Sequence, residues 1–196
     1  MELAATTLTH ARVRLEPFEE SHREALIGAA ADPAIWTHIP FPVEARGFSA
    51  WFDWLMNERA AGRWIPHAVI RIAPPFSGED KIVGQTCYLN IRPADAGVEI
   101  GGTWYAREVQ GGMVNPACKL LLFERAFACG AERVELKTDA LNARSRAAIL
   151  KLGAQFEGVH RSHMRRKDGS LRDTAWYSVL REEWPAVRAG LEARLA

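Results

Sequence analysis

Apolar positions change their period several times along the chain, and each change marks an element. Residues 12–16 alternate, with Val13 and Leu15 on one side, and predict a short strand ended by Pro17. Residues 18–31 predict a helix that stops at Asp32-Pro33, because the residue before proline resists the helical region. Residues 35–42 form a loop rich in large side chains, among them Trp36, His38, Ile39 and Phe41. A second helix is predicted over 44–61, where Phe48, Trp51, Phe52 and Leu55 share one stripe and Gly62 supplies an end cap.

Period-two patterns then take over at 65–73, 81–91 and 98–105, separated by polar turns at 74–80 and 93–97. Asn115-Pro116 reads as a helix cap followed by the first helical residue. The helix it opens runs to Cys129 and is apolar nearly all round, so it should be buried. After Gly130 come a strand over 132–138, a helix over 142–152 and a strand over 154–164. Asp168-Gly169 marks a hairpin, 171–180 pairs back, and a terminal helix is expected at about 182–195. The order β-α-α-β-β-β-α-β-α-β-β-α shows no repeat and no linker, so residues 1–196 are expected to form a single domain.

The stretch from Arg133 to Met164 carries the first chemical hint. A strand ends in Asp139, a short loop delivers Asn142, and a helix bearing Arg144, Arg146 and Lys151 follows. Free N–H groups and the macrodipole make such a helix start attractive to anions, which points to a phosphate-bearing ligand.

Composition narrows the class. The chain has 196 residues, 48% of them hydrophobic and 25% charged, which suits one folded domain with a real core. A net charge of +1 gives no global pull towards nucleic acid or a membrane, so the basic residues matter only where they bunch, as at Arg161, Arg165, Arg166 and Lys167. Three cysteines without metal-type spacing (Cys87, Cys118 and Cys129) fit a reducing compartment, and no metal site is expected. No apolar run suggests a signal peptide or a membrane span, so a cytoplasmic location is expected.

Four segments, in order and at these spacings, resemble the GNAT superfamily of acyl-CoA N-acyltransferases, and its RimJ/RimL-like branch more closely. They are V-E-I-G-G-T-W-Y at 98–105, Q-G-G-M-V-N at 110–115, T-D-A-L-N-A-R-S at 138–145 and L-G-A-Q-F-E-G at 152–158. The resemblance implies a mixed α/β (α+β) fold with a centrally splayed sheet of six to seven strands flanked by helices. It implies acetyl-CoA as co-substrate, a primary amine as acceptor, and direct attack in a ternary complex. Because the family often pairs, it also allows for a homodimer.

The same resemblance distributes roles. The pantetheine arm would add to the end of the fourth strand of the family, here beside Trp104 and Tyr105. The pyrophosphate would meet the loop of Gln110, Gly111, Gly112, Met113, Val114 and Asn115, with Met113 standing where a second glycine is usual. A helical or bridge backbone is open to methionine, so the turn can survive. Asn142 and Ser145 match the family's Asn-x-x-Ser segment: Asn142 would bind the coenzyme, and Ser145 would protonate the leaving thiolate. Arg146 would face the coenzyme's phosphates or water.

Amine acetylation needs a group to take the amine's proton. Glu99 lies on the opposite sheet face from Val98 and Ile100, and it matches the glutamate that several GNAT branches use as base. Each of these residues also has a purely structural reading: Trp104 as a core aromatic, Asn142 as a helix cap, Glu99 as a half-exposed structural glutamate. Trp36, His38 and Phe41 either pack on the core or wall an acceptor pocket, with Trp176 on the strands opposite. A coenzyme-binding module without catalysis is the alternative that Met113 raises, while nucleic-acid binding is disfavoured by the near-zero net charge.

Overall fold

Strand alternation assembles one eight-stranded sheet in the order β1-β2-β3-β4-β5-β6-β8-β7. Its strands are β1 (Leu8–His10), β2 (Val13–Pro17), β3 (Ile65–Arg71), β4 (Lys81–Arg92), β5 (Gly97–Tyr105), β6 (Arg133–Asp139), β7 (Gln155–Arg165) and β8 (Leu171–Leu180). The helices are α1 (Arg23–Ala29), α2 (Val43–Ala60), α3 (Val114–Ala128), α4 (Ala143–Lys151) and α5 (Trp184–Leu195). This computed structural model describes every residue except Pro42, Phe76 and Ser77, and of Glu44 the backbone alone. The end of the aromatic loop at Pro42 and part of the turn at 74–80 therefore lie outside the described residues.

Four expectations need correction. The sheet has eight strands rather than six or seven, because Leu8–His10 pairs antiparallel with β2. With Leu8 its only aliphatic residue, that strand is too short to show a period. The first helix is split into a 3-10 turn at Glu20–His22 and α1. The second is broken at Gly47, whose φ of 78° and ψ of 158° are not helical. Helix α3 is capped at Met113 rather than Asn115, which places Pro116 in the third helical position. The first helical N–H groups have no intrahelical acceptor, so a proline there forfeits nothing.

The sheet buries its two faces differently. On one face Val98, Ile100, Val134, Leu136 and Tyr177 join Leu122 and Phe123 of α3 and Leu191 of α5 in a large core. On the other, Phe52 and Leu55 of α2, Leu26 of α1 and Phe18 pack with Ala68, Cys87 and Leu89. Among the described residues, that second cluster includes nothing from β6, β7 or β8. The half of this face carried by the last three strands instead presents Glu135, Lys137, Trp176 and Ser178, which the β6–β8 register sets side by side.

The feature that positions the site is the junction between these halves. Strands β5 and β6 are the parallel pair, matched only at Gly97↔Arg133, Val98↔Val134 and Glu99↔Glu135. Both strands continue beyond, so the edges at 100–105 and 136–139 face each other without strand pairing. A bulge against β4 turns β5 here, and Gly102 carries it with φ of 56°. A Cβ at Gly102 would stand 2.8 Å from the Trp64 ring, so glycine is required there for space as well as for conformation. Among the described residues no helix is long and apolar enough to cross a membrane.

Candidate active site

The loop after β5 leads directly into α3 and leaves backbone donors exposed at the mouth of the divergence. Gly111 adopts φ of 78°, a left-handed conformation that glycine reaches without strain. Met113 caps the helix at φ −84° and ψ −11°, so no second glycine is needed for the turn. Its side chain is 45% exposed, while Val114 behind it is buried in the core. The N–H of Gly112 reaches Val109 O at 3.4 Å. The N–H groups of Gly111, Met113, Val114 and Asn115 make no hydrogen bond among the described residues. Orphan donors at a helix start form a ready anion cradle.

Side chains tie this loop to the strand and to α4. Tyr105 donates its hydroxyl to Asn115 Oδ1 at 3.2 Å, and Gln110 Nε2 donates to Tyr105 O at 2.8 Å. Burial pushes the Tyr105 phenol well above its ordinary value, so it stays a neutral donor. Arg144, in the first turn of α4, donates to Gln110 Oε1 at 2.7 Å and so links the two helix starts. Asn142 caps α4, its Oδ1 accepting from Ser145 N at 3.0 Å. Ser145 Oγ is half-buried and makes no hydrogen bond among the described residues. Arg146 is already engaged by Tyr177 Oη at 3.0 Å and Ala140 O at 3.3 Å.

Glu99 sits where β5 and β6 part, at 1% exposure. Its Oε2 accepts from Asn90 Nδ2 at 2.6 Å and from Lys137 Nζ at 2.9 Å, while Oε1 makes no hydrogen bond among the described residues. Lys137 also lies 4.9 Å above the Trp176 ring. His160 and His163 pack on the same indole at 5.1 and 5.7 Å. Burial, and then the charge of Lys137, hold the His163 imidazole below its ordinary value, which favours the neutral ring. A hollow of about 570 Å³ opens beside this group, lined by Arg92, Glu135, Glu157, His160 and Trp176.

The residues expected to meet the acceptor separate. Trp176 stands with Lys137 and the histidines. Trp36 is 2% exposed, donates its indole N–H to Ala30 O and packs on Trp51 and Trp104. It therefore belongs to the core behind the cleft rather than to its surface. Trp104 is buried against Trp36 and Phe48, with an indole N–H that finds no partner among the described residues. Phe41 packs edge-on against Trp51 at 5.2 Å. His38 is exposed and borders a small cavity with Asp139, Arg166 and Arg172.

Asn90 and Lys137, the two partners of Glu99, belong to no motif in the sequence, and neither does Arg172. Alternation along β6 alone puts Lys137 on the Glu135 face, but nothing local ties that face to Glu99 across the parallel register. Among the described residues no group of three histidines, cysteines, aspartates or glutamates is arranged to hold a metal ion.

The chain is similar to known proteins over its whole length. The acetyltransferase (GNAT) domain profile matches residues 12–155. A GCN5-related N-acetyltransferase from Brucella melitensis is 29% identical, with a TM-score of 0.87 over 99% of this chain and 87% of that one. Mycobacterium smegmatis RimJ, solved with CoA-disulfide, is 21% identical with a TM-score of 0.75, covering 96% of this chain and 93% of that one. RimL, the ribosomal L7/L12 α-N-protein acetyltransferase, is 16% identical with a TM-score of 0.75, covering 90% and 94%. These last two likenesses are of fold. No curated protein matches the chain. A profile match over residues 12–155, carried on a sheet that parts at Glu99, makes this chain a member of the GNAT acetyltransferase family.

Proposed function

We propose that the protein transfers an acetyl group from acetyl-CoA to a primary amine by direct attack in a ternary complex. The motifs at 98–115 and 138–158 further assign it to the RimJ/RimL-like branch. The observation that carries the proposal is the divergence of β5 and β6 immediately beyond Glu99, beside the orphan N–H groups of residues 113–115. Unpaired strand edges suit a ligand whose own amides can complete the missing bonds, and orphan helix donors suit its phosphates. The residues present therefore fit a pantetheine pyrophosphate such as coenzyme A. Bound there, acetyl-CoA supplies an activated acyl group as its thioester.

The chain's own groups supply the rest. The edge of β5 at 100–105 holds the pantetheine arm, with Trp104 packed behind it and Tyr105 fixed by Asn115 and Gln110. Asn142 holds the coenzyme while capping α4, and Arg144 and Gln110 lock the two helix starts together. Arg146, bonded to Tyr177 and Ala140, shapes the cradle through those bonds and presents its remaining N–H groups to the coenzyme. Lys137 and Asn90 fix the orientation of Glu99 through Oε2, which leaves Oε1 to take the proton of the amine. Ser145 Oγ is the proton donor to the departing thiolate. Holding both reactants in one cleft supplies a large part of the rate.

A module that binds coenzyme without turnover gains nothing from Met113, since its backbone is helical and its side chain points outwards. Thiol release from acetyl-CoA with a panel of amines tests the reading. Glu99→Gln is expected to lower turnover about a hundredfold with little change in coenzyme affinity. Tight acetyl-CoA binding with no turnover on any amine removes the transferase reading, and an unchanged rate and pH profile in Glu99→Gln removes Glu99 from the mechanism.

A further inference from the structure

Arg172 of β8 is a buried cation with no hydrogen-bond or ion-pair partner among the described residues. It is 6% exposed, its Nε is fully enclosed without a hydrogen bond, and no other nitrogen of its guanidinium is bonded among the described residues. The neighbouring carboxylates are committed elsewhere. Asp139 accepts from Arg166 Nε at 2.7 Å, from Arg166 Nη2 at 3.0 Å and from Leu141 N at 2.9 Å. Glu99, which also acts on Arg172 through space, is bonded through Oε2 to Lys137 and Asn90. Each carboxylate thus has its own cation, and Arg172 is the surplus. Burial, helped by the charge of Arg166, pushes its guanidinium below the ordinary arginine range against the pull of Asp139 and Glu99.

An uncompensated buried charge is costly, and folding gives no reason to keep one. Such a group is retained where a ligand completes it. The cavity at Arg172 is shared with Thr37, His38, Asp139 and Arg166 and measures about 10 Å³, room for roughly a single water-sized group. Alternation along β8 carries this face from Arg172 through Thr174 to Trp176, whose ring meets Lys137 beside Glu99. The anion site and the proposed acyl-transfer centre therefore lie on one face of β8.

We infer that Arg172 anchors an oxyanion, carboxylate or phosphate, borne by the amine acceptor, so that the acceptor is a small acidic amine. One oxygen of either group matches the water-sized cavity, where the guanidinium donates to it. The inference rests on the transferase reading for its amine and on Arg172 for its anion, and the two can fail separately.

The test compares matched acceptors by thiol release: 4-aminobutyrate against butylamine, and O-phosphoethanolamine against ethanolamine. In the wild type the acidic member of at least one pair should show a KM lower by about tenfold or more, a difference of about 1.4 kcal/mol. The pair that shows it identifies the oxyanion. In Arg172→Gln that preference should collapse towards unity, while Arg188→Gln, on the exposed side of α5, keeps it. If Arg172→Gln does not fold, Arg172→Lys serves, and the preference should shrink as the planar fork is lost. Equal use of acidic and neutral amines by the wild type, or a preference that survives both Arg172 variants, overturns the inference and leaves the transferase reading intact. If no amine is acetylated, melting of the acetyl-CoA-loaded protein decides. Stabilisation by 4-aminobutyrate or O-phosphoethanolamine that Arg172→Gln abolishes keeps the anion site while the transferase reading falls, and its absence in the wild type overturns both.

Discussion

The two halves of one sheet face have opposite chemistry. Over β3, β4 and β5 the face is sealed by α1 and α2 with an aromatic cluster in which Trp36, Phe48, Trp51 and Trp104 touch one another. Over β6 and β8 the same face carries Arg172 and Trp176 together with Glu135, Lys137 and Asp139, the last three held by ion pairs rather than by apolar packing. The divergence of β5 from β6 lies at the border. A rigid packed half next to a polar half gives a cleft whose one wall is fixed and whose other wall can recognise a ligand. Stability should therefore reside in the first half and activity in the second.

Truncation in the packed half should have the largest effect. Phe52 is fully buried and packs at a tilt on Phe18 at 4.7 Å, so Phe52→Ala should cost about 4 kcal/mol in urea unfolding. His160→Ala, exposed on β7, should stay within about 0.5 kcal/mol. Comparable losses at the two sites would break the contrast.

Titration sharpens it further. His67 on β3 is 1% exposed, and burial pushes its imidazole down to about 4 from 6.5. The folded state keeps the ring neutral while the unfolded chain protonates it. Its contribution is thus fully present above pH 6.5 and is lost as pH falls towards 4, by about 3 kcal/mol. Urea unfolding across that window should show a clearly shallower loss in His67→Gln and a smaller change of the same sign in His163→Gln, whose imidazole is shifted less. The smallest effect belongs to the border itself. Asn142→Ala should cost about 1 kcal/mol as a lost cap and should also weaken acetyl-CoA binding, whereas a stability change alone would make the residue purely structural.

The packed half was largely legible in the sequence, because Phe48, Trp51, Phe52 and Leu55 repeat at helical spacing and period-two runs mark β3 to β5. Motif residues at the border were legible through resemblance, and the Asn142 cap followed from local chemistry alone. What escaped depends on register and turns. Asn-Pro at 115–116 imitates a helix start, yet the backbone already turns at Met113. Trp36 looks like a pocket wall because its loop is aromatic, but its ring fills the core. Lys137 reaches Glu99 only through the three-residue parallel match, and the isolation of Arg172 emerges only once Arg166 has taken Asp139. Long-range pairing of charges leaves no period in the chain.

If the parted strands are the coenzyme cradle, amide hydrogen exchange reads it directly. With saturating acetyl-CoA, exchange should slow at residues 100–105 on β5 and at 113–115 at the start of α3, and much less on β1, β2 and β7. Acetyl-CoA binding that leaves those amides unprotected, or that protects the far strands instead, would contradict it.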